Sequence, residues 1–127
     1  MASTVAFAVT PRIASVSIAT ANANRDGTGT VGTVLTGVTA GTRIQEVVVQ
    51  AGGTTTAGMV RLFLHDGTNY WFFDEVPISA ITVSASVRAF RQSCLYQNLV
   101  LPNSSWSLRA STHNAETFVV TALGADL

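Results

Sequence analysis

The sequence predicts an all-β domain of about eight strands, and three observations lead there. The first is its alphabet. Thr and Ala occur 17 times each, Val 16, Ser 11 and Gly 10, whereas lysine is absent and only 11% of residues are charged. β-Branched side chains lose rotamer freedom in helices and pack well on pleated surfaces. The second is the even spacing of turn-forming clusters at residues 22–29, 37–42, 51–58, 66–69, 102–105 and 112–116. The third is period-two patterning, clearest where Trp106, Leu108 and Ala110 alternate with Ser107, Arg109 and Ser111. That pattern predicts a strand with one buried and one wet face.

Taken in order, the strand-like runs are residues 13–20, 30–36, 43–50, 59–65, 70–76, 87–92, 106–111 and 117–123. Residues 99–101 add a short piece. Thr42 and Gln45 match a helix capping box, but Val47-Val48-Val49 follows and favours a strand. Residues 51–58, with three glycines, read as a long hairpin tip, and Asp66-Gly67-Thr68-Asn69 as a tight hairpin turn. Residues 84–92 fit both helical and strand spacing, and the all-β context selects a strand. Strands at this spacing build a sandwich, a jelly roll or a barrel. At 127 residues the chain makes one domain, able to bury about two thirds of its unfolded surface. Residues 1–12 read as an extended N-terminal arm and residues 13–127 as the folded domain. A secretory leader is not expected, because no positive charge precedes the first apolar run and Pro11-Arg12 interrupts it.

Several runs are apolar on both faces. Tyr70 and Phe72 point opposite to Trp71 and Phe73, and Val47 and Val49 opposite to Val48 and Ile44. A two-layer sandwich leaves one face of each sheet in water. Two-sided strands therefore predict another packed layer, and a single domain would find it in another subunit. Arginine without lysine suits forked, bidentate interface contacts.

The chemistry-bearing residues do not assemble into a catalytic pattern. A phosphate-binding loop needs a lysine, and none exists. Gly27, Gly29 and Gly32 match a dinucleotide fingerprint, but strand-like rather than helical residues follow. The lone Cys94 excludes an internal disulfide and reads as a small buried hydrophobe, not as a nucleophile served by His113. His65 and His113 are too few for a cupin-type metal site, and residues 113–116 read as a polar turn. Asp74 and Glu75 are adjacent, so a strand sends them to opposite faces, away from a shared glycosidic bond. Seven arginines against seven carboxylates argue against nucleic acid or an anionic membrane as partner. No run of 18 apolar residues exists. No enzyme activity, cofactor, metal site or catalytic residue is expected.

Residues 98–127, from Asn98-Leu-Val-Leu-Pro through Trp-Ser-Leu-Arg-Ala-Ser-Thr-His-Asn-Ala-Glu to Leu127, resemble the C-terminal end of small structural proteins of tailed bacteriophages. Residues 61–77, Arg-Leu-Phe-Leu-His-Asp-Gly-Thr-Asn-Tyr-Trp-Phe-Phe-Asp-Glu-Val-Pro, fit the same picture. Together these cover somewhat under half the chain, as a pattern of strands and turns without a catalytic signature. The resemblance implies a β-sandwich, jelly-roll-like virion component, a head decoration (cement) protein that clamps major capsid subunits, often as a homotrimer. It assigns no individual binding residue. The interface candidates come from the chain itself. They are Val5, Phe7 and Val9 on the arm, placed to fill pockets by strand addition, and Tyr70, Trp71 and Phe73 on the aromatic strand. The alternative is a virion adsorption or glycan-binding module in which Trp71 stacks on a sugar.

Overall fold

The computed structural model describes residues 10–127. Eight strands run through them: β1 (Thr10–Ile18), β2 (Gly32–Thr36), β3 (Thr42–Ala51), β4 (Gly58–His65), β5 (Tyr70–Ile78), β6 (Arg91–Leu101), β7 (Ser107–Thr112) and β8 (Phe118–Asp126). They form two four-stranded antiparallel sheets. The first has the order β1-β8-β3-β6 and the second β2-β7-β4-β5. Nesting the last strand between the first and third is the double Greek key of a jelly roll. The core lies between the sheets, where Ile44, Val47, Val49, Leu62, Leu108 and Val120 are all fully buried. Each such side chain contributes roughly 1.5–3 kcal/mol by leaving water.

Four expectations change in detail. β1 begins at Thr10, and Thr10, Pro11 and Arg12 pair with Asp126, Ala125 and Gly124. These three residues therefore belong to the first sheet rather than to an arm; Val5, Phe7 and Val9 lie outside the described residues. The run at 87–92 is displaced. Ser84 and Val87 form only an isolated bridge, and β6 extends from Arg91 to absorb the piece at 99–101, where Leu99 and Leu101 face the core. Residues 51–58 are not a hairpin tip, because β3 and β4 belong to different sheets. Their connection is fastened instead, with Glu116 Oε2 accepting from Thr56 N at 2.9 Å and Asn114 Nδ2 donating to Ala57 O at 3.1 Å. Finally, Ile44 lies on the same side as Val47 and Val49. Against β8, Ile44 pairs with Gly124 and Glu46 with Leu123, leaving Gln45 as an extra residue that resets the alternation.

The outer face of the second sheet is covered in part. The β1–β2 connection, residues 19–31, folds over it: Ala21 bridges Thr112 and Asn22 N donates to Thr112 O at 2.8 Å. Asn22 organises that loop. Its Nδ2 donates to Thr28 O and Thr30 O at 2.9 and 3.0 Å, while its Oδ1 accepts from Asn24 N at 3.0 Å. The loop tip rests on Tyr70 at Gly27, where φ is 86° and a Cβ would sit 2.3 Å from the Tyr70 Cβ and Cγ. Only glycine combines that dihedral with that approach. Beneath this cover Arg61 is 2% exposed and Ser111 fully buried, so the hydroxyl face expected to be wet on β7 is dry. Part of the extra layer that two-sided strands demand is thus supplied by the chain itself.

Candidate functional site

β5 is one of the two margins of the second sheet, the other being β2. Its pairing with β4 slips between Leu62 and Phe63: Leu62 faces Asp74 and Phe63 faces Phe72, so Phe73 is the extra residue of a bulge. Bulges redirect side chains, and here the effect is to spread three aromatics along one edge. Tyr70 and Phe72 pack against the buried Phe63 ring on the outer face, with centroids 6.1 and 5.6 Å apart. Arg109 lies over the Tyr70 ring at 5.4 Å and donates to its hydroxyl at 2.9 Å. Phe73 turns the other way and meets Tyr96 of β6 at 5.2 Å. Trp71 is 53% exposed, Phe72 44% and Phe73 37%, three consecutive aromatics in water.

The rigidity of this edge has a local cause. Asp66 Oδ1 accepts from Thr68 N and Asn69 N at 2.8 and 2.7 Å, closing the turn at Gly67, whose φ is 101°. The Trp71 indole N–H reaches Asp66 Oδ2 at 3.1 Å. Donation from Asn69, Thr68 and Trp71 holds the Asp66 carboxyl below its ordinary value. The expected hairpin turn is therefore real, and it also orients the most exposed indole.

Between β5 and β6, the margins of the two sheets, runs a groove of about 480 Å³ lined by Leu64, Phe73, Tyr96, Leu99, Pro102 and Trp106 among others. Its floor is tied by Tyr96, which donates to Asp74 Oδ2 at 2.8 Å. Burial pushes the Tyr96 phenol well above its ordinary range, and its bond to the Asp74 carboxylate pushes it further. Glu75, one residue on, faces the outer side. Its Oε2 accepts from Arg61 Nε at 3.0 Å and from Arg25 Nε at 2.9 Å. Partial burial raises the Glu75 carboxyl, but the hydrogen bonds from Arg25 and Arg61 outweigh it and the net shift is downward. The adjacent carboxylates thus take opposite faces, as a strand requires.

Of the sequence candidates, the structure brings Tyr70, Trp71 and Phe73 to one margin. Phe72 and Tyr96 complete it and were not among them, since only the bulge at Phe73 and the displaced β6 place them there. Cys94 packs against the core beside Tyr96, and burial, followed by the charge of Asp74, raises its thiol. His113 lies elsewhere, with Nδ1 3.3 Å from Arg61 Nη2 on the outer face of the second sheet. Among the described residues no three His, Cys, Asp or Glu side chains come together as metal ligands would. What this margin can do chemically is bury aromatic surface against another molecule. Comparison with family models and with curated proteins gives no match for this chain.

Proposed function

We propose that the chain is a non-enzymatic structural subunit of a tailed-phage particle, a decoration protein that seats the β5 margin on major capsid subunits and stabilises their lattice. The observation that carries this reading is the run Trp71, Phe72 and Phe73, exposed beside an aromatic groove and held by a fixed turn. Exposed aromatics grouped on a rigid edge suit the desolvated centre of an interface. The likeness of residues 61–77 and 98–127 to phage structural proteins supports the same reading, because those segments supply both walls of the groove. The arm residues Val5, Phe7 and Val9 add a second anchor by strand addition.

The test uses particles from the phage genome that encodes the chain. Particles lacking the chain are incubated with purified protein and sedimented. The wild type should pellet with them, whereas Trp71→Ser combined with Phe72→Ser should stay in the supernatant with an unchanged circular dichroism spectrum. Equal pelleting of that variant, or absence of the chain from purified particles, overturns the proposal.

One observation favours a second reading. The Trp71 indole is half exposed and pinned by Asp66, a flat platform of the kind that stacks on a sugar. Reproducible glycan-array signals that vanish in Trp71→Ala would support an adsorption module instead.

A further inference from the structure

Among the described residues each sheet has two margins, which gives four edge strands: β1 and β6 on one sheet, β2 and β5 on the other. An edge strand carries unfilled backbone donors and acceptors, and proteins blunt such edges with bulges, prolines, charges or shortness. Three of the four are blunted. β5 carries the Phe73 bulge, Asp74, Glu75 and Pro77. β6 opposes β3 irregularly, with Tyr96, Gln97 and Asn98 set against Gln45 alone. β2 is only five residues long and slips at Val34.

β1 is different. It pairs with β8 through nine consecutive residues without a register shift. After Pro11 and Arg12 it reads Ile-Ala-Ser-Val-Ser-Ile, uncharged and strongly strand-forming. Ile13 on this strand is 69% exposed. An edge that is regular along its length, uncharged from Ile13 on and unpaired among the described residues is a template for another strand.

We infer that β1 pairs antiparallel with β1 of a second copy about a two-fold axis at Ser15, joining two four-stranded sheets into one of eight. Three constraints set this register. Pairing about a two-fold must keep outer faces on one side, so odd residues oppose odd and even oppose even. Pro11 has no N–H to give a central ladder, which confines pairing to Arg12 through Ile18. The centre of that segment is Ser15, so Ser15 faces itself, Ile13 faces Ser17 and Ala14 faces Val16. Arg12 then opposes Ile18, and the two Arg12 side chains stay at opposite ends without repulsion. The same operation on β5 would set Asp74 against Asp74 beside a bulge, which is unfavourable. The symmetry is two-fold rather than the three-fold that the resemblance implies. The inference builds on the second subunit that the two-sided strands lead one to expect, and not on attachment to a particle.

The test needs only the purified full chain, with Cys94→Ser removing its single cysteine. In that background Ser15→Cys places two thiols about 4.5–5.5 Å apart at Cβ across the axis. Ser17→Cys places its pair about 13 Å apart, at 3.3 Å per residue, beyond a disulfide. Oxidation should convert most of the Ser15→Cys protein, and little of the Ser17→Cys protein, to a species of twice the chain mass. Sedimentation of the wild type should show a dimer. A wild type that stays monomeric at on the order of 100 µM overturns both this pairing and self-assembly. A wild-type oligomer in which Ser15→Cys fails to link, or Ser17→Cys links equally, overturns the pairing and leaves the proposed function standing.

Discussion

Tyr96 donates its phenolic hydroxyl to Asp74 Oδ2 at 2.8 Å, and the two residues stand on margins of opposite sheets. The opposite side of the sandwich is closed by direct packing of β1 on β2, where the side chains of Val16 and Ile18 crowd Gly32. The β5–β6 side, lined by the groove, is held instead by this bond and by the Phe73–Tyr96 ring contact. Tyr96→Phe keeps the ring but leaves a half-buried carboxylate without its phenol donor. A loss of about 1–3 kcal/mol is expected, measured as a lowered urea midpoint with unchanged slope. A midpoint within error of the wild type would show that water replaces the phenol without cost.

The same bond makes an alkaline prediction. Burial and the Asp74 carboxylate both oppose ionisation of Tyr96. Tyr96→Phe should therefore leave the rise in absorbance near 295 nm unchanged up to about pH 11, roughly one unit past the ordinary phenol value. A smaller rise in the variant contradicts this.

Glu75 sets an acid limit. Its folded carboxyl titrates below the ordinary value of 4.5 because Arg25 and Arg61 donate to it. Its contribution is complete above that value and disappears as pH falls through the lower, folded one. Glu75→Gln should be less stable than the wild type at pH 7, and the two denaturation midpoints should converge as pH falls below 4.5. A constant gap across that range would assign the loss to packing rather than to charge.

The β1–β2 loop should behave as a structural layer. Gly27→Ala introduces a Cβ into the Tyr70 ring at a φ of 86°. The dihedral alone costs roughly 1–2 kcal/mol, and the overlap adds to it. Phe63→Ala should cost about 3–5 kcal/mol, the scale of a core aromatic, although Phe63 shares the outer face with Arg61. Losses under about 0.5 kcal/mol, typical of open surface positions, would show the loop to be a loose cover. Calorimetric or urea unfolding distinguishes these outcomes.

Much of the fold is legible in the residues, for reasons that can be named. Leu108 and Ala110 face the core as their alternation requires, and Asp66-Gly67 makes the turn that its preference for positive φ requires. What escapes is whatever depends on an extra residue or on a distant cover. Gln45 shifts the phase of β3, so Ile44 changes face without any local sign. Ser111 has the side chain of a wet strand and is dry because Asn22, far earlier in the chain, anchors a loop of ordinary turn composition above it. The aromatic margin was half visible. Trp71 and Phe73 stand out in the sequence, but their union with Tyr96 needs the displaced β6.

The position of β8 also dictates a sequence of events in time. It is made after the other seven described strands, yet it lies between β1 and β3, and it brings together Arg12 and Asp126, 114 residues apart. The hairpin of β4 and β5 closes over a short turn and is free to form early. Until Phe118–Asp126 leaves the ribosome, β1 and β3 have no common neighbour, and the nascent chain holds two hydrophobic strands waiting for a third. Folding in milliseconds to seconds, slow for a chain of this length, is the kinetic signature of that arrangement.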